Sequence, residues 1–316
     1  MVVAVACDHV FFTYMLPLLF LFGLGSLARG LAIVVLLIVA LTGWVKDYVS
    51  TLRPKSPPIV RKSLNHLHEL EYGFPSTHSS YAVGTAAYLT ILALLQSRTE
   101  SSEQASLYLI SIWALSISVL IGRVYCGMHS LIDVYGGAIM GMLVSLPLSI
   151  FYTYLDDTIF TTYRGSFIIA AISFVLLYNH PLFYDQCLCY RDTFSAVSVI
   201  NGVVFGSALY STFTPPSEPY SKAIYFSLAE FGFLRSFYRT LFGLLSIAAW
   251  KYCSTPFLIR LVSPFNPLDR PKDNKNMFGT ASRIFESENL ARIPIYFGIG
   301  FNVVFVVPWL FFLLNI

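Results

Sequence analysis

The chain has 316 residues, of which 56% are hydrophobic and only 12% charged, with a mean hydropathy of +0.67. That excludes an ordinary soluble globule, in which roughly a quarter of residues are charged. A net charge of +3 is too small to argue for a nucleic-acid partner. Apolar windows that reach or approach the ~20 residues of a spanning helix lie at 10–28, 31–45, 79–95, 107–121, 134–151, 166–178, 194–213, 223–250 and 293–315. The runs are continuous rather than alternating, which favours helices over a barrel. The expectation is an all-α polytopic membrane protein, a bundle of roughly eight to nine transmembrane helices with its site at one membrane face.

In chain order, Met1 starts almost directly in apolar sequence, without the basic leader of a signal peptide. The first two spans read as a hairpin turning at Ser26–Gly30, the second ending at Trp44 and Val45. Residues 46–78 read as a polar loop, held out of helix by Pro54, Pro57 and Pro58. The third span, the hydrophilic turn Gln96–Gln104 and the fourth span follow. Residues 1–151 carry the chemistry and 152–316 read as further helices of the same membrane domain. There, Glu230, Arg235 and Arg239 interrupt an apolar window and invite mutual pairing or a break at the interface. The stretch 265–292 is basic, which the positive-inside rule places in the cytosol. The five cysteines, Cys7, Cys126, Cys187, Cys189 and Cys253, form no metal or disulfide framework by spacing and read as inert thiols.

Three polar stretches stand out. Lys46 and Arg53 lie seven apart, with Pro54 after the arginine. An ammonium and a guanidinium fork suit a phosphate. Pro75-Ser76-Thr77-His78 opens the third span. Ser76 or Thr77 can cap that helix, leaving its N–H groups to face an anion. His78 is then placed to protonate a departing oxygen. Arg123 adds a third cation, and His129 and Asp133 follow at i,i+4 spacing. That spacing predicts one helical face, with the carboxylate fixing the imidazole tautomer and leaving the other nitrogen free to attack. His66 and His68 read as loop histidines without a catalytic role. The third stretch follows two crossings after the first two, so all three face one side. A phosphate site set in a membrane chain points to a phosphorylated lipid.

These residues resemble the signature of the type 2 phosphatidic acid phosphatase superfamily: Lys-x6-Arg-Pro, Pro-Ser-x-His and Ser-Arg-x5-His-x3-Asp. It matches at Lys46, Arg53, Pro54, Pro75, Ser76, His78, Arg123, His129 and Asp133. The flanks Lys46-Asp47, Ser56-Pro57-Pro58, Glu71-Tyr72-Gly73 and Tyr125-Cys126-Gly127-Met128-His129-Ser130 are similar to its sphingosine-1-phosphate and long-chain-base-1-phosphate phosphatase branch. The resemblance covers about residues 10–150. It implies catalysis by His129 as nucleophile, Asp133 as its orienting partner and His78 as proton donor. It implies substrate binding by Lys46, Arg53, Ser76, Thr77 and Arg123. It further implies a sphingoid base phosphate lipid as substrate, no metal and no cofactor. The membrane is the implied setting, a multi-pass fold in the endoplasmic reticulum with a luminal site, and no obligate protein partner is evident. One departure is Gly122, where the family has serine before the arginine. The motifs alone leave open a broader lipid phosphate or a polyprenyl diphosphate as substrate, or a catalytically inactive lipid-phosphate binder.

Overall fold

The computed structural model describes residues 9–55, 71–96, 102–181, 189–213, 226–265 and 287–314. His66, His68, Ser56–Pro58 and most of the basic stretch 265–292 lie outside them. Among the described residues the regular structure is helical throughout: α1 His9–Leu21, α2 Gly25–Val49, α3 Thr77–Gln96, α4 Ser102–Tyr125, α5 Leu131–Ile150, α6 Tyr152–Leu155, α7 Tyr163–Tyr178, α8 Cys189–Phe213, α9 Leu228–Val262, α10 Ser287–Phe301 and α11 Val307–Leu314. Among the described residues, seven spans are long and apolar enough to cross a membrane, eight if the pair Tyr152–Phe160 and Tyr163–Tyr178, bent by 95°, counts as one. This is a multi-pass membrane protein.

The first hairpin turns earlier than expected. Its corner is at Gly23, not Ser26–Gly30, because Gly23 takes φ 79°. Its N–H bonds the Phe20 carbonyl, and the Leu24 N–H bonds Leu19. This is the glycine stop that satisfies a helix's last carbonyls. At its other end α2 overruns the expected boundary, so Lys46 sits in its last turn, where the helix dipole favours a cation. The polar segment starts only at Ser50, with φ 52°.

The described residues form two compact units. The first comprises Gly30–Tyr152 and Pro181–Thr193 with the chain start to Tyr14. Its centre is the contact of α3 with α5, which run in the same direction. Small residues line it on both sides. A Cβ on Gly141 would overlap the Ser80 carbonyl, and one on Gly137 would lie 2.5 Å from the Ser76 carbonyl. Small residues four apart let backbones approach closely where lipid gives no hydrophobic drive between helices. The start of α8 lies along α2: Thr193 Oγ1 donates to the Ala40 carbonyl at 3.2 Å. Cys189, at that start, is disulfide-bonded, which corrects the inert-thiol expectation for this residue. Among the described residues, Cys126 and Cys253 are free.

The second unit comprises Met15–Arg29, Thr153–His180 and Phe194–Ile316. It encloses a charge pair that the sequence patterning did not signal. Arg29 bonds Asp156 through Nε at 2.6 Å and Nη2 at 2.7 Å, with both side chains buried. A forked guanidinium–carboxylate pair satisfies both ions where an isolated charge would be costly. Residues 228–250 of the window 223–250 belong to the 35-residue α9, kinked at Gly232 with φ 67°. Arg239 packs against aromatic rings there. Its guanidinium lies 4.3 Å from the Phe231 ring centre and 4.7 Å from that of Phe311, a cation–π arrangement.

Candidate active site

The packing of α3 on α5 puts two helix N-termini side by side, and the site is built at those ends. Ser76 caps α3: its Oγ accepts from Ser79 N–H at 3.4 Å and Ser79 Oγ at 3.0 Å. The Ser76 N–H donates to the Asp133 carbonyl at 2.9 Å, stitching the two ends together. Thr77 and His78 follow in the first turn of α3, both buried. The His78 ring packs against Tyr81, with centres 5.2 Å apart. Two parallel helix N-termini concentrate partial positive charge, a favourable place for an anion.

The third stretch reaches the same place through a turn. α4 ends at Tyr125, Gly127 takes φ 65°, and Met128 N–H bonds the Arg123 carbonyl at 3.3 Å. This again is the glycine stop, and it turns His129 inward. His129 thus precedes α5 instead of sharing a helical face with Asp133. Ser130 is the cap of α5: Asp133 N–H donates to Ser130 Oγ at 3.2 Å, and Asp133 Oδ2 accepts from Ser130 N–H at 2.7 Å. The carboxylate expected to hold the imidazole is the acidic half of a capping box. It stands 3.8 Å from His129 Nδ1, too far for a hydrogen bond. The carbonyl of Gly73, 2.9 Å from Nδ1, takes that place.

The first stretch closes the site. Arg53 is buried and its nitrogens fan out. Nε donates to the Glu71 carbonyl at 2.9 Å, Nη1 to the Met128 carbonyl at 2.8 Å, and Nη1 lies 2.9 Å from His129 Nε2. A carbonyl can only accept and a guanidinium can only donate. His129 must therefore carry its proton on Nδ1 and offer the Nε2 lone pair. Burial pushes its pKa down from 6.5 to about 3, with Arg53, Arg123 and Lys46 adding in the same direction and Asp133 opposing. Lys46 Nζ and Arg53 Nη2 share the Glu71 carboxylate at 2.9 and 3.4 Å.

Lys46, Arg53, Ser76, Arg123, His129 and Asp133 are thus joined by contact or by electrostatic influence on one imidazole. His78 and Thr77 sit on the adjoining helix turn. Glu71 and Gly73 were visible in the sequence only as flanking residues. An acid beside two phosphate-type cations was the available signal. Exposed apolar residues flank these segments in the chain: Tyr48, Leu52, Tyr125, Leu131, Ile132 and Tyr135. Tyrosines of this kind belong at a membrane–water interface.

The PAP2 superfamily model matches residues 27–158. A dihydrosphingosine 1-phosphate phosphatase of Schizosaccharomyces pombe is 31% identical over 96% of this chain and 80% of its own. The chain belongs to the PAP2 superfamily. A dihydrosphingosine 1-phosphate phosphatase of Saccharomyces cerevisiae is 27% identical, over 77% of this chain and 59% of its own. Human sphingosine-1-phosphate phosphatase 2 is 28% identical, over 61% and 47% respectively. The chain therefore spans about half to four fifths of the length of these relatives. No solved structure matches it. Among PAP2 positions, the departure at Gly122 has room: a Cβ there would meet nothing within 4 Å.

Proposed function

We propose that this PAP2 protein is a metal-independent phosphatase of sphingoid base 1-phosphates. It releases the free base and phosphate through a phosphohistidine. The observation that carries the reading is the tautomer imposed on His129. Its Nδ1–H is tied to Gly73 and its Nε2 lone pair is turned to Arg53, with the ring kept neutral by burial. A neutral imidazole is a nucleophile and an imidazolium is not.

When the lipid phosphate enters, Arg53 Nη1 leaves Nε2 for a phosphate oxygen, which frees the lone pair for attack on phosphorus. Lys46, Arg53, Arg123, Ser76 and the N–H groups at the start of α3 hold the equatorial oxygens as charge shifts. The bond from phosphorus to the C1 oxygen breaks, and His78 protonates that oxygen. The phosphohistidine carries positive charge, which the Gly73 carbonyl and the Asp133 carboxylate offset from the Nδ1 side. Water then attacks phosphorus, His78 takes its proton, and phosphate leaves with His129 restored. Thr77 supports the same helix end.

The exposed apolar residues beside the site segments in the chain, tyrosines among them, support a substrate delivered from the bilayer. The disulfide at Cys189 supports an oxidising compartment. Cys189 begins α8 beside the end of α2 that carries Lys46, so the site is read as luminal in the endoplasmic reticulum membrane. The test is phosphate release from dihydrosphingosine-1-phosphate by purified protein in detergent with excess chelator, wild type beside His129→Ala. Release by the wild type alone is expected. Binding without turnover in the wild type would return the protein to a lipid-phosphate binder.

A further inference from the structure

The site contains a carboxylate that phosphate chemistry does not call for. Glu71 Oε2 lies 2.9 Å from Lys46 Nζ and 3.4 Å from Arg53 Nη2, between two cations expected to receive the phosphate. An anion there opposes a second anion. One role is evident without substrate: it keeps two buried cations paired, since unpaired buried charge is costly. That role alone would be a handicap once phosphate arrives. The handicap disappears if the substrate brings its own cation.

We propose that Glu71 reads the ammonium of the substrate and so selects lipid phosphates bearing an amine beside the phosphoester. The inference rests on the reading of the site as a sphingoid base phosphatase. In such a lipid the amine is on the carbon next to the one bearing the phosphate, so cation and anion arrive together. Lys46 and Arg53 turn from the carboxylate to the phosphate, and the ammonium replaces them at Glu71. The exchange conserves charge pairing at each centre. Exposure fits the order of events: the Glu71 side chain is 15% exposed, against 4% for Lys46 and 2% for Arg53. The carboxylate is the member of the trio open to an arriving group. Phosphatidate and polyprenyl diphosphates bring no cation, and for them Glu71 remains an uncompensated negative charge. The sequence flank Glu71-Tyr72-Gly73 then has two tasks, an acid for the amine and a carbonyl for the nucleophile.

The experiment compares kcat/KM for dihydrosphingosine-1-phosphate and octadecyl phosphate, which has the same chain length and no amine, in one detergent. Wild type, Glu71→Gln and Glu71→Asp are measured. A charge-assisted hydrogen bond is worth about tenfold to a hundredfold. The wild type is expected to prefer the amine lipid by at least about tenfold. In Glu71→Gln that ratio falls to within about threefold of one, whatever the absolute rates, and Glu71→Asp keeps part of it. An unchanged ratio in Glu71→Gln overturns the inference. So does loss of turnover on both lipids in both variants, which assigns Glu71 only to holding Lys46 and Arg53. A wild type that leaves dihydrosphingosine-1-phosphate intact refutes the phosphatase reading itself, a result separate from either.

Discussion

Arg53→Lys separates charge from geometry at the centre of the site. The guanidinium reaches three partners through Nε and Nη1: the Glu71 carbonyl, the Met128 carbonyl and His129 Nε2, all within 2.9 Å. A lysine keeps the charge but offers one nitrogen, which cannot meet carbonyls that the fork joins from two sides. At least one buried carbonyl then loses its donor, at a cost of about 1–3 kcal/mol. In the reaction the substitution also removes the fork that would grip phosphate, and hydrogen bonds to charged groups are worth about 1.5–3 kcal/mol each. Even one such bond specific to the transition state lowers kcat/KM about tenfold, and two lower it about a hundredfold or more. The assay is kcat/KM for dihydrosphingosine-1-phosphate in detergent, beside thermal unfolding to follow the carbonyl penalty. A variant within about threefold of wild type would refute the reasoning, because charge alone would then suffice.

Gly73→Ala is expected to cut kcat/KM about tenfold or more, since a Cβ would press within 3.2 Å of the Leu52 carbonyl and 3.3 Å of Asp133 Oδ2 and shift the carbonyl that holds His129. Unchanged kinetics would remove Gly73 from the account. Gly122→Ser points into open space and should leave stability within about 0.5 kcal/mol, as unfolding in detergent would show. A large destabilisation would contradict the geometry. The pKa of His129 falls from 6.5 to about 3 on folding, so below pH 6.5 the unfolded chain takes up a proton that the folded chain refuses. Stability from this group is therefore lost as pH falls from 6.5 towards 3, by at most about 1.4 kcal/mol per unit. The apparent Tm of wild type should drop more steeply between pH 7 and pH 4.5 than that of His129→Gln, and equal slopes would contradict a buried neutral imidazole.

Much of this candidate site could be read from sequence because its polar members are residue types that lipid would otherwise reject. Lys46, Arg53, Arg123, His78 and His129 stand out in a chain with few charges, and counting crossings brought them to one face. The helical boundaries near glycines were harder. Gly23 and Gly127 set corners through positive φ, a property that pattern and hydropathy do not register. The i,i+4 spacing of His129 and Asp133 suggested a shared helical face, but helix α5 begins between them. Ser130 and Asp133 form a capping box instead, a local competition that spacing alone does not resolve. Contacts made by backbone atoms were also hidden, and so the Gly73 carbonyl went unseen as the partner of Nδ1. Arg29 and Asp156 are 127 residues apart, so only the fold could pair them.

The most direct test of the account is to ask whether phosphate rests on His129. Purified wild type and His129→Ala are mixed with dihydrosphingosine-1-phosphate radiolabelled in its phosphate and quenched in alkali within milliseconds. The protein is then assayed for bound label and its acid lability. The account predicts a base-stable, acid-labile phosphoprotein in wild type and none in His129→Ala. Rapid turnover with no protein-bound label, or the same label in His129→Ala, would contradict it.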